Sequence, residues 1–198
     1  FYYMCYDRVT GADGWFLASD YFLNRLGEDP DDVRWGVMDV DEQDYYHGTG
    51  RMGACYKYTG SVNLQGDGKE TATAVNIKVI RLSEIYLIAA EAALQSGDKE
   101  AAADYLNEIR KRSPNLAPAT KETVNLDMIL DERSKEFFGE GHRFFDIIRC
   151  NRSIEFNDDF RNVPISQREK VIDRTFYKIV LPISQDEINA NPALKSQQ

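Results

Sequence analysis

The chain is predicted to be all-α, built from helical hairpins, with a large irregular loop region and only minor β structure. Three observations predict it. Between Arg81 and Ser113 apolar residues recur at three-and-four spacing in two runs separated by Gly97-Asp98. A further run, Asn125 to Phe138, keeps the same spacing up to Gly139 and Gly141. By contrast, residues 1–65 crowd tyrosines and tryptophans with glycines and show little helical period.

Taken in order, residues 1–77 read as an irregular, aromatic-rich, ligand-facing region holding one short helix, Ser19 to Leu26, which Ser19 caps and Gly27 stops. The β-branched segment Thr71 to Ile77 is expected to be extended. Residues 78–150 read as the helical region. Its first helix begins near Lys78 and is expected to bury Leu82, Ile85, Tyr86, Ala89 and Ala93, with Arg81, Glu84 and Glu91 on another face. Gly97-Asp98 ends it, and a second helix, about Lys99 to Lys111, buries Ala102, Leu106 and Ile109 before Pro114. The spacing of Tyr86, Ala90, Ala93, Gly97, Ala102, Leu106, Ile109 and Pro114 is tetratricopeptide-like.

A third helix, Asn125 to Phe138, sets Leu126, Ile129, Leu130 and Phe137 on one face, and a short fourth runs from His142 to about Cys150. Residues 151–198 read as loop, a strand over Thr175 to Leu181, and a terminal helix around Gln185 to Ala190 that Ser184 opens as a capping box with Glu187. A single hairpin hides its apolar face poorly, so the chain is expected to be part of something longer.

Arg133 lies between Leu130 and Phe137 on the apolar stripe, where breaking a buried pair costs roughly 3 to 5 kcal/mol. It therefore needs a partner. Glu84, Glu91 and Glu136 are the candidates for a structural ion network, in preference to a clamp on a ligand anion or sugar hydroxyl. Glu132, Glu136 and Glu140 recur every fourth residue, about 5 to 6 Å apart on a helix. That spacing resembles a retaining glycosidase pair, but it reads more simply as a solvated or salt-bridged face.

The composition excludes several classes. With 24 Lys and Arg against 33 Asp and Glu, the net charge of -9 disfavours nucleic acid. No apolar run reaches the length of a membrane span. Three cysteines at unrelated spacings fit neither a zinc site nor a full disulfide set, and the two histidines, His47 and His142, supply a nucleophilic triad poorly. The acids from Asp39 to Asp44 start like a calcium loop but lack its glycine and its closing glutamate. No catalytic residues, cofactor or metal are assigned. The aromatic region is more telling, because flat ring faces with polar edges suit sugar rings, and Trp15, Tyr45 and Tyr46 have the glycine-flanked or polar loop settings that favour exposure.

RLSEIYLIAAEAAL, AAADYLNEIRKRS, ILDERSKEFFGEGHRFFDIIR and YKIVLPISQDEINANPAL, with GWFLASDYFLNRL and DDVRW upstream, together resemble the SusD/RagB family of outer-membrane nutrient-binding lipoproteins, in its carboxyl-terminal half. The elements carrying the likeness are Glu132-Arg133, Glu140-Gly141-His142-Arg143 and Asp146 to Arg149. The resemblance implies a non-enzymatic protein at the cell surface, lipid-anchored to the outer membrane of a Bacteroidetes-type bacterium. Such a protein would capture oligosaccharide or polysaccharide, or sometimes peptide, for a SusC-like TonB-dependent transporter. The amino-terminal lipid anchor is absent from these residues, since Cys5 follows no lipobox. The alternative is a helical-repeat interaction scaffold that grips a peptide or partner protein.

Overall fold

A computed structural model describes residues 18, 20–41, 52–55, 57, 79–150, 154–155, 171–172 and 183–197. They fall into two compact units, Phe1–Phe144 and Phe145–Gln198. The expected extended segment at 71–77, the strand at 175–181 and the capping Ser19 lie outside the described residues.

The first unit opens with α1, Asp20–Leu26, followed by a 3-10 helix, Val33–Val37, and an antiparallel pair, β1 Met38–Asp41 and β2 Met52–Cys55, in register Met38↔Cys55. The 3-10 helix and this hairpin correct the expectation of irregular structure after Leu26. Each is so short that neither helical nor alternating periodicity accumulates. Phe22, Leu23 and Leu26 form a small core here, with Trp35, Met38 and Phe138 packed against it.

Two helices, α2 Leu82–Ser96 and α3 Lys99–Arg110, form the antiparallel hairpin. Gly97 ends α2 at a φ of 89°, a left-handed conformation that glycine adopts at low cost, and the Asp98 carboxylate caps α3 by accepting from the Ala101 N–H at 3.0 Å. Helix α4, Leu126–Glu136, is capped by Asn125, whose side chain accepts from the Met128 N–H at 2.9 Å. The main core joins the three helices through Leu87, Ala90, Ala102, Leu106, Ile129 and Phe137. Ala90 and Ala102, both fully buried, let the α2 and α3 backbones close up.

One face is corrected. Leu82 and Ile85 are 70% and 52% exposed, whereas Ser83, Leu87, Ala90 and Glu91 are buried. The run LSEIYLIAAEAAL is apolar almost all round, so its period cannot choose between faces, and the small Ala90 permits the closer approach. Helix α3 buries Ala102, Leu106 and Ile109 as expected.

Helix α5, His142–Arg149, contains the division between the units. Within the second unit, Arg149 donates through Nε to Asp146 Oδ1 at 2.8 Å, a two-residue ladder pairs β3 Ile154–Glu155 with β4 Val171–Ile172, and Ser184 caps α6, Gln185–Ala190. The β3–β4 ladder corrects the expected loop over that stretch. A 3-10 turn, Pro192–Gln197, follows. No described helix is long and apolar enough to cross a membrane.

Candidate functional site

Trp15, Tyr45 and Tyr46 lie outside the described residues, as do His47 and the side chains of the Asp39–Asp44 run. Tyr45 and Tyr46 nevertheless have a defined sequence position, within the connection between β1 and β2. What the structure details is how the ends of that hairpin are held.

The holding surface is α4 and the turn after it. Glu132 is 0% exposed and Glu136 is 3% exposed, so the four-residue glutamate spacing marks a buried, salt-bridged ladder and not a solvated face. Every rung takes a cation from elsewhere in the chain. Arg34, in the 3-10 helix just before β1, donates from Nη1 to Glu132 Oε1 at 2.7 Å. The same guanidinium grips Asp32, with Nε 2.9 Å from Oδ1 and Nη2 2.6 Å from Oδ2, and donates to Ser113 Oγ at 2.9 Å. A rigid fork of five donors suits this arrangement, and the pairing offsets the desolvation of a buried charge. Asp29 locks the same loop to the α3–α4 connection by accepting from the Asn115 N–H at 2.7 Å.

The second rung, Glu136, lies 2.5 Å from Arg81 Nη1, 3.0 Å from Arg112 Nε and 3.8 Å from Arg34 Nη1. Arg81 sits at the amino-terminal end of α2 and also forks onto Glu140, with Nε 2.9 Å from Oε2 and Nη2 2.8 Å from Oε1. Lys57, two residues beyond β2, completes the third rung: its Nζ donates to Glu140 Oε1 at 2.8 Å and to the Glu136 carbonyl at 2.7 Å. Beside it Cys55 is buried, and its Sγ lies 3.8 Å from where a side chain on Gly139 would begin, at a residue with φ +76°.

The electrostatics follow the partners. Burial would raise the Glu140 carboxyl, but hydrogen bonds from Arg81 and Lys57 and their charges outweigh it and hold it below the ordinary carboxylate value. Burial pushes the Lys57 ammonium below its ordinary value, against the pull of Glu140. The difference has a physical source. Glu140 shares two cations, whereas Lys57 has Glu140 as its near carboxylate and Arg81 as a like charge.

Of the residues expected in an ion network, Glu136 is the middle rung. Arg133 is 5% exposed, with its guanidinium carbon 5.1 Å from the Phe137 ring centroid. Glu84 Oε1 lies 3.6 Å from His142 Nδ1, and Glu91 accepts from Gln95 at 3.3 Å. Sequence reasoning missed Arg34, Lys57 and Arg81. The signal for Arg34 was its place between Val33 and Trp35, a charge flanked by large apolar residues.

The class these features define is a helical-hairpin scaffold whose charged, buried fourth helix clasps the ends of a small β hairpin. The SusD family profile matches residues 34–198, and the chain belongs to that family. It is 36% identical to a solved SusD superfamily protein from Bacteroides thetaiotaomicron, with a TM-score of 0.76 over 96% of this chain and 42% of that one. It is 38% identical over 91 residues to the starch-binding protein SusD of B. thetaiotaomicron, covering 44% of this chain and 16% of that protein. A SusD-like protein of Formosa agariphila is 32% identical over 123 residues, covering 59% of this chain and 22% of the relative. The chain thus spans less than half the length of each of these proteins.

Proposed function

We propose that the chain is part of a surface glycan-binding protein that holds oligosaccharide by ring stacking and hydroxyl hydrogen bonds, without turnover, and passes it to a TonB-dependent outer-membrane transporter. The observation that carries this reading is the family match over residues 34–198, joined to the likeness to a relative named for starch binding. A lipid anchor at the outer-membrane surface belongs to the same proposal.

Trp15, Tyr45 and Tyr46 are the proposed ligand residues, the tyrosines because they lie in the connection between two strands with fixed ends. Arg133, Glu84, Glu91 and Glu136 are proposed to form a structural ion network that does not touch ligand. A non-catalytic role draws support from the ladder's chemistry. A glycosidase acid needs a raised pKa, whereas Glu140 is held low by two cations and Glu132 is enclosed.

The test is a printed array of plant and host glycans, followed by titration of whichever glycan binds. Paired alanine changes at Tyr45 and Tyr46 are expected to weaken binding about tenfold or more, the equivalent of ~1.4 kcal/mol per decade, without lowering Tm. A fall in Tm of several degrees would assign the rings to the core and overturn their role. Release of reducing sugar would overturn the non-catalytic reading.

Further polypeptide is proposed to pack on α2, where Leu82, Ile85 and Ile88 stand exposed. An apolar stripe of that kind on a helix is ordinarily covered.

A further inference from the structure

We infer that the Glu132–Glu136–Glu140 ladder is a positioning device for ligand binding, in which Lys57 fixes strand β2 as Arg34 fixes the entry to β1. The functional half of this inference rests on the glycan-binding reading; the positioning half does not.

Three observations meet at the ladder. Arg34 leads directly into β1 and is bound to the first rung at 2.7 Å. Lys57 follows β2 and is bound to the last rung at 2.8 Å, with a second bond to the Glu136 carbonyl. Gly139 and the buried Cys55 bring the end of β2 against the turn that carries Glu140. A two-stranded hairpin in water is marginal by itself, and this one is only four residues a side. Its spacing and direction are therefore set by what grips its ends. Rigid ends lower the ordering cost that a ligand must meet on binding, which appears as affinity.

The choice of a lysine at this point is informative. An ammonium with three donors is mostly buried here, where its charge is disfavoured, although the neighbouring Glu140 already has a bidentate arginine. With Arg81 still bound, loss of Lys57 would not leave Glu140 without a cation. The lysine ties the end of β2 to the ladder through its two bonds, to the Glu140 carboxylate and the Glu136 carbonyl.

The experiment compares Lys57→Met, Lys57→Arg and Lys135→Met in the full chain. Lys135, on α4, is more deeply buried than Lys57 and is paired at 3.2 Å each with Glu28 and Asp131, neither of them in β1 or β2. Amide hydrogen exchange is read at Met52–Cys55 and across α2 and α3, alongside binding to the glycan array. Lys57→Met is expected to speed exchange at Met52–Cys55 while leaving α2 and α3 protected, and to weaken glycan binding about tenfold. Lys57→Arg, which keeps the charge, should restore most of the affinity, and Lys135→Met should leave affinity unchanged.

Unchanged exchange at β2, exchange that rises equally throughout the first unit, or an equal loss of affinity in Lys135→Met would overturn the inference. So would faster β2 exchange with full affinity. Should the parent protein bind no glycan on the array, the glycan-binding reading fails; local loss of β2 protection would then still support the positioning role of Lys57, and its absence would overturn it.

Discussion

Arg34 shows how a single residue can tie together segments distant in sequence. Its guanidinium donates to Asp32, Ser113 and Glu132, so its removal leaves two carboxylates in a dry site without their main cation. Breaking such a buried pair costs about 3 to 5 kcal/mol, and Arg34→Met is expected to lower the unfolding free energy by that amount in urea titrations. The exposed Lys111–Glu108 pair, 2.5 Å apart, provides the contrast, since Lys111→Ala should cost less than ~1 kcal/mol. Equal effects from the two changes would refute the assignment of Arg34 as a structural hub. The burial of Arg133 was legible because three-and-four spacing is a local signal. The partners of the glutamates were not, because Arg34 and Glu132 lie 98 residues apart and Lys57 and Glu140 lie 83 apart. Only folding brings those charges together. The proposed ring residues stayed a matter of composition, since exposure of an aromatic side chain has no sequence period.

Among the elements, boundaries were read best where a cap carries a distinct chemistry. Gly97, Asp98, Asn125 and Ser184 each mark an end by backbone freedom or by a side-chain acceptor, and the helices start or stop beside them. Facing was harder. Helix α2 presents Leu82, Ile85 and Ile88 to the outside and buries Ser83 and Glu91, because close packing at Ala90 outweighs the larger side chains one turn away. If further polypeptide covers that stripe, replacing Leu82 and Ile85 together by lysine has opposite consequences in two contexts. In the 198-residue chain it should reduce self-association at constant Tm, read by analytical ultracentrifugation and calorimetry. Joined to the further polypeptide, the same pair should lower Tm by several degrees, since two buried charges would be unpaired. An unchanged Tm in the longer protein would show that nothing packs on this face.

At the scale of the whole molecule, two electrostatic effects oppose each other as pH falls. The net charge of -9 gives a general repulsion that protonation relieves, favouring the compact state on the way down from pH 7. The buried carboxylates act the other way. For Asp32, as for Glu140, burial raises the carboxyl but hydrogen bonds from Arg34 and Ser113 and the Arg34 charge outweigh it, so its folded-state pKa lies below the ordinary value. A lowered folded-state pKa means that the unfolded chain binds more protons over the interval between the two values, so stability is fully present above the ordinary pKa of about 4 and is lost as pH falls through the folded values. Salt separates the two effects, since exposed charges are screened over a Debye length of about 8 Å at physiological ionic strength while enclosed pairs are screened much less. Thermal unfolding should therefore vary little between about pH 7 and 5 and vary less still in 0.5 M salt, then fall steeply below about pH 4 at either salt level. Glu140→Gln should make that acid limb shallower, because one proton-linked group is gone, whereas substitution of the exposed Glu122 should leave its slope unaltered. An acid limb that disappears in high salt would assign the loss to surface charge, and the enclosed ladder would then have no part in holding the fold at low pH.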